Sequence, residues 1–109
     1  MPAPPAADAH GLEVDSDWRT ANYEGRSVSL SPLEHDLLLC LVREFGHTIP
    51  FADLHRQVWG NDHLGDRSDV QSVVKRLRRK LSDLGSPFQI HAVRGVGLRL
   101  VDIGVRPQA

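Results

Sequence analysis

Residues 66–84 read Asp66-Arg67-Ser68-Asp69-Val70-Gln71-Ser72-Val73-Val74-Lys75-Arg76-Leu77-Arg78-Arg79-Lys80-Leu81-Ser82-Asp83-Leu84, and two patterns overlap in them. Val70, Val74, Leu77, Leu81 and Leu84 recur at the spacing of one apolar stripe along a helix. At about 100° per residue, Ser72, Lys75, Arg76 and Arg79 fall on the opposite side, and Arg78 and Lys80 flank the stripe. One face is built to pack and the other is cationic. Ser68 and Gln71 have the form of a capping box, and Asp69 in the first turn suits the positive end of the helix dipole. The five cations from Lys75 to Lys80 suit the other end, yet like charges three and four residues apart cost about 0.2–0.5 kcal/mol per pair. A polyanion partner would relieve that repulsion; a solvated amphipathic helix is the other reading of such a run. The stretch alone leaves both open.

Moving outward toward the C-terminus, Gly85-Ser86-Pro87 ends the helix. Phe88–Val93 and Leu98–Val101 then read as two strands joined through Arg94-Gly95-Val96-Gly97, whose glycines permit positive φ. The result is a hairpin with a cation, Arg94, at its tip. Toward the N-terminus, Asn61–Asp66 is a polar loop. It is preceded by a short helix from Pro50 or Phe51 to Trp59, with Leu54 and Val58 facing inward. Two helices joined by a short loop, the second carrying the cations, have the layout of a helix-turn-helix.

Further back, Ser31-Pro32-Leu33-Glu34 is a helix start with Ser31 as N-cap, Pro32 at the first helical position and Glu34 closing a capping box. Leu33, Leu37, Leu38, Leu41 and Phe45 form the stripe of that helix, and Gly46 is its C-terminal cap. Cys40 lies within it and reads as a small apolar residue. Leu12–Val14, Trp18–Tyr23 and Arg26–Leu30 read as short strands, the last two joined at Glu24-Gly25 as a hairpin. Met1–His10 is rich in proline and alanine without periodicity and reads as a disordered tail or linker remnant. Residues 102–109 read as a second frayed tail, leaving 11–101 as the folded unit.

With 109 residues the chain suffices for one domain with one modest core. Its formal net charge is only −1, but the charge is segregated. From residue 1 to 36 seven acids face two bases, and from 75 to 106 eight bases face two acids, giving −5 and +6. Such a charge dipole steers the basic half onto a polyanion. A single cysteine rules out an internal disulfide and fits a reducing compartment. No apolar run reaches the roughly 18 residues of a membrane span, and no signal peptide is evident, so the cytoplasm is the expected location. The six histidines (His10, His35, His47, His55, His63, His91) show no ligand spacing. No catalytic serine order or phosphate-cradling loop appears either. An enzyme, a metal and a cofactor are therefore not expected. His35 and His55 read as helix-surface residues.

Taken together, Leu30-Ser31-Pro32-Leu33-Glu34, Leu54 with Val58-Trp59-Gly60, Val70 through Leu77-Arg78-Arg79-Lys80-Leu81, and Val93-Arg94-Gly95-Val96-Gly97 followed by Arg99 resemble the effector domain of OmpR/PhoB-type bacterial response regulators. The resemblance covers residues 12–101. It implies an α+β winged helix-turn-helix fold: an N-terminal antiparallel sheet, three helices and a C-terminal hairpin, the wing. It further implies that the third helix enters the major groove of double-stranded DNA and the wing approaches the adjacent minor groove. Carried over by position, Arg76 and Arg78 match groove-facing cations, Lys75 a further basic contact and Arg94 the wing arginine. Asn61–Asp66 matches a segment that in some members touches RNA polymerase. The chain departs from the family pattern at Ser68, where an arginine is frequent, at Val73, usually polar, at Leu98, usually tyrosine, and at Pro50, usually a Ser or Thr cap. Family members usually carry an N-terminal receiver domain, for which this chain has no room, so an excised effector domain and a free-standing protein are both compatible with it.

The expected function is sequence-specific DNA binding in transcription regulation. The candidate contact set is Ser72, Val73, Lys75, Arg76, Arg78, Arg79, Lys80, Arg94 and Arg99. Lys75, Arg79 and Lys80 would position the helix on phosphates, while Arg76 and Arg78 would read base edges. Val73 either packs or meets a thymine methyl. A monomer in solution that pairs in tandem on DNA is expected. The alternative is a protein-interaction module on the same scaffold, toward which exposed apolar side chains at Val73 and Leu98 would point.

Overall fold

The Ser31 start does locally what its residues dictate. In the computed structural model, which describes residues 7–59 and 67–104, Ser31 Oγ accepts from the Glu34 backbone N–H at 3.2 Å and Glu34 Oε1 accepts from the Ser31 N–H at 2.9 Å. This closed capping box starts helix α1 (Pro32–Arg43), which buries Leu37, Leu38, Leu41 and Val42. The helix stops at Glu44 and Gly46, the latter at φ +83°, where glycine carries no Cβ penalty. The Gly46 N–H then reaches Leu100 O at 3.1 Å, tying the end of α1 to the C-terminal hairpin.

Ahead of α1 lies a four-stranded antiparallel sheet in the order β1 (Ala7–Ala9), β2 (Leu12–Asp15), β3 (Thr20–Tyr23) and β4 (Arg26–Ser29). The β1 strand lies inside the segment expected to be a tail. It pairs Asp8 with Glu13 and Ala9 with Leu12, and Ala9 is buried. Alanine and aspartate are weak strand formers, so pairing with β2 makes this strand. His10 and Gly11 both adopt positive φ, +49° and +90°, the geometry of a tight hairpin turn. The expected Glu24-Gly25 hairpin has the same form, with φ +47° and +81°. Trp18, expected in a strand, instead lies in the β2–β3 turn and is 79% exposed. The Asp15 carboxylate accepts from the backbone N–H groups of Asp17 and Trp18 there and shapes the turn.

His35 is not a helix-surface residue. It is buried, with Nε2 2.8 Å from Ser16 Oγ and Nδ1 2.9 Å from Asp36 Oδ1, so it joins α1 to the β2–β3 turn. Cys40 is half-buried and bonds Gln57 Oε1 at 3.2 Å. Burial pushes its thiol pKa up, as does the negative charge of Asp36.

Strand β5 (Thr48–Pro50), not expected from the sequence, opens a second antiparallel sheet, in which it pairs with β7 (Gly97–Asp102), itself paired with β6 (Phe88–Val93). Thr48 and Ile49 are β-branched, but three residues ending in proline are too short to read as a strand; the pairing of Ile49 with Leu98 makes it one, and proline is tolerated at its edge position. Helix α2 (Phe51–Leu54) continues through a π-helical turn, His55–Trp59, and buries Leu54 and Val58. Pro50 caps it without a side-chain hydrogen bond, and the Phe51 N–H is satisfied by Val96 O at 2.9 Å. The loop Asn61–Asp66 and the Ser68 side chain of the expected capping box lie outside the described residues.

Helix α3 (Arg67–Asp83) carries the opening stretch. Val70, Val74, Leu77, Leu81 and Leu84 are all buried, as the stripe requires. Strands β6 (Phe88–Val93) and β7 (Gly97–Asp102) form the wing hairpin. β7 runs into the segment assigned to the C-terminal tail, and the Ile103 N–H still bonds Pro87 O at 3.0 Å. One core joins the elements: α1 packs on β1 and β2, on α3 and on β7, while α3 packs on β6. The Phe88 ring meets Tyr23 and Phe45 edge-on at 5.7 and 5.9 Å, joining the wing to the N-terminal half. The architecture is the expected α+β winged helix.

Candidate nucleic-acid interface

The side of α3 opposite its buried stripe is free. Gln71, Ser72, Lys75, Arg76, Arg78 and Arg79 are exposed, and three of them, Lys75, Arg76 and Arg79, project within little more than one turn. The repulsion read from the sequence is therefore present and, among the described residues, no carboxylate salt bridge to these three relieves it.

Three candidates behave differently. Val73 is only 5% exposed and belongs to the core. It sits beside the stripe, and a helix packed on both α1 and β6 buries a wider arc than one row of residues. Arg78 is exposed, but its Nε donates to Ile90 O at 3.0 Å, leaving the two terminal nitrogens of the guanidinium pointed by the wing strand. Lys80 turns away from the cationic face. Its ammonium donates to Ser29 O at 2.8 Å and forms a salt bridge with Glu34 of the α1 capping box.

Glu34 is itself buried. Burial alone would push its carboxyl pKa up; the hydrogen bonds from Lys80 and Ser31 outweigh this and hold it below the usual carboxylate value.

The wing supplies the other wall. Its turn, Arg94-Gly95-Val96, places Gly95 at φ +76° and leaves Arg94 and Val96 exposed. Gly97 is required for a different reason: a Cβ there would lie 1.8 Å from Ile49 O, so β5 approaches β7 closely only because position 97 has no side chain. Between α3 and the wing runs a groove of about 470 Å³, with Gln71, Lys75, Arg78 and Arg94 among its lining residues and Phe51, Val70 and Leu98 forming apolar wall. Leu98 is buried, as is Val73, so neither forms the exposed apolar patch that a protein-interaction module would present. Arg99 does not join this groove. It is exposed in register with His91 and Thr48, and the alternation of β7 puts it on the face away from the buried Leu98 and Leu100.

Gln71, whose place near the helix start gives it a capping role on paper, was not a sequence candidate, yet it lines the groove. Its groove position is the signal, and a glutamine there can pair both edge groups of an adenine. A cationic helix face, an arginine-tipped wing and a groove with polar and basic lining between them form a surface complementary in charge to a phosphate backbone and able to hydrogen-bond a base edge.

The family described as "Transcriptional regulatory protein, C terminal" matches residues 25–100. The chain belongs to this family. It is a winged-helix effector domain of the OmpR/PhoB type, and its family is one of transcriptional regulators rather than enzymes. The transcriptional regulatory protein AfsQ1 of Streptomyces coelicolor is 41% identical over 96 residues, which are 87% of this chain and 43% of that protein. The chain thus spans less than half the length of that relative. Among solved structures, the DNA-binding domain of Bacillus subtilis CssR shares 32% identity, with a TM-score of 0.69 over 82% of this chain and 98% of that one. The DNA-binding domain of Klebsiella pneumoniae RstA, solved in complex with RstA box, shares 27% identity with a TM-score of 0.70 over 87% of this chain and 95% of that one. No helix among the described residues is long and apolar enough to cross a membrane.

Proposed function

We propose that this domain binds double-stranded DNA sequence-specifically to regulate transcription, with α3 in the major groove and the wing at the adjacent minor groove. The observation that carries it is the exposed cationic face of α3 beside the Arg94 wing, a face that no carboxylate among the described residues neutralises. Membership of a transcriptional-regulator family and the likeness to RstA, solved with its DNA box, support it. Arg76 reads a base edge, Arg78 and Gln71 face the groove, Lys75 and Arg79 take phosphates, and Arg94 serves the wing. The proposed contact set leaves out Val73, which is buried, Lys80, which is salt-bridged to Glu34, and Arg99, which does not line the groove.

Selection of bound duplexes from a random library at roughly physiological salt tests this reading, because non-specific binding there is typically only about 10⁻⁴–10⁻⁶ M. An enriched motif is expected. Recovery of unenriched sequence, with no salt-dependent binding at low ionic strength, would refute it and favour a protein-interaction module. The domain works in the cytoplasm as a monomer that pairs on tandem half-sites about 10–10.5 base pairs apart; a dimer in sedimentation at low concentration would contradict this. A contact with RNA polymerase through Asn61–Asp66 belongs to the same proposal, and replacing that loop should lower transcription without lowering DNA affinity.

A further inference from the structure

We infer that Lys80, although it belongs to the cationic run, is a positioning residue rather than a DNA contact: with Glu34 it forms an ionic lock that sets how α3 lies on α1. The inference rests on the proposed DNA-binding role. Three observations carry it. The Lys80 ammonium spends two of its three donors inside the molecule, on Ser29 O and on Glu34 Oε1. Its acceptors lie 51 and 46 residues away in sequence, at the end of β4 and in the first turn of α1, so one side chain joins three elements. The Glu34 side chain is 3% exposed, and Oε1 also accepts from the Ser31 N–H. A carboxylate so enclosed needs its counter-ion, which keeps the lysine where it is.

The geometry gives the lock leverage. Lys80 lies one turn from Arg76 and about 12 Å along the helix from Ser72, so a small change of seat at Lys80 displaces the side chains that face DNA. A phosphate contact and a lock make opposite predictions for the salt dependence of binding. Removing a phosphate contact lowers the slope of log K against log salt by about 0.9. Removing a lock leaves the slope intact and blunts discrimination between sequences.

The test titrates the full chain and its Lys75→Met, Lys80→Met and Glu34→Gln variants with salt. The probes are a duplex carrying the selected motif and a scrambled duplex of equal length, with circular dichroism confirming the fold at the working temperature. Lys75→Met is expected to lose about 0.9 of slope. Lys80→Met should keep the parental slope while the selected-to-scrambled affinity ratio falls about tenfold, the discrimination carried by one base contact. Glu34→Gln removes a negative charge, so on charge alone it would tighten binding; the lock predicts that it lowers the same ratio, and that a Lys80→Met/Glu34→Gln double variant loses no more than either single one. Gln at this position keeps the capping box, so Glu34→Gln still decides the matter should Lys80→Met fail to fold. A slope loss of about one for Lys80→Met, or an unchanged ratio in Glu34→Gln, overturns the lock while leaving the functional reading in place. No binding by the parent chain would bring down that reading and the lock with it.

Discussion

The cations of α3 look equivalent in the sequence and are not equivalent in space. Helical phase alone places Lys75, Arg76 and Arg79 outward, and the structure agrees. It could not place Arg78 or Lys80, which sit at the edge of the stripe, because their partners, Ile90 and Glu34, are remote in sequence. Val73 was similarly undecided, since one row of apolar residues does not reveal how wide an arc the neighbouring elements will cover. The outward pair yields a direct expectation. Arg76→Ala should cost about 1–3 kcal/mol of specific binding and relax a single base position, whereas Arg79→Ala should weaken all sequences alike and reduce the salt slope by about one. Equal effects on selected and scrambled DNA from Arg76→Ala would remove it from the reading role.

Glu34 adds an expectation in pH. Its folded-state pKa lies below the ordinary 4.5, so the folded chain holds that proton less tightly than the unfolded one. Its stabilising contribution is complete above about pH 4.5 and is lost as the pH falls through the lower folded value. Thermal melting should drop on the acid side of that point, and Glu34→Gln should flatten the drop. Superimposable Tm profiles for parent and variant would show that Glu34 is not the group responsible.

Elements were legible in proportion to how local their causes are. α1 and α3 announce themselves through caps and periodicity, and the wing through paired glycines between two apolar runs. β1 and β5 do not: Ala7–Ala9 has little intrinsic strand preference, and Thr48–Pro50, though it opens with two β-branched residues, is only three residues long and ends in proline, so both depend on their partners β2 and β7. The same logic makes Gly97 a strict position. Gly97→Ala forces the Ile49 carbonyl aside from an approach of 1.8 Å, so it should destabilise the fold by about 1–3 kcal/mol or more. Hydrogen exchange should show lost protection in β5 and the wing rather than in the N-terminal sheet. A Gly97→Ala protein with parental Tm would mean that β5 is not held against β7 as described.

At the scale of the molecule, the acids of the N-terminal sheet and the outward cations of α3, Lys75, Arg76 and Arg79, lie on different elements, and α1 packs on both of those elements. The near-zero net charge therefore conceals a dipole that orients one side toward a polyanion. The central claim is which side that is. Backbone amide shifts of the isotope-labelled domain, followed as a duplex carrying the selected motif is added, test it most directly. The account predicts perturbations concentrated at residues 71–79 and 94–96, with the β1–β3 strands unmoved. Shifts centred on the β1–β4 sheet, or none in α3, would contradict it.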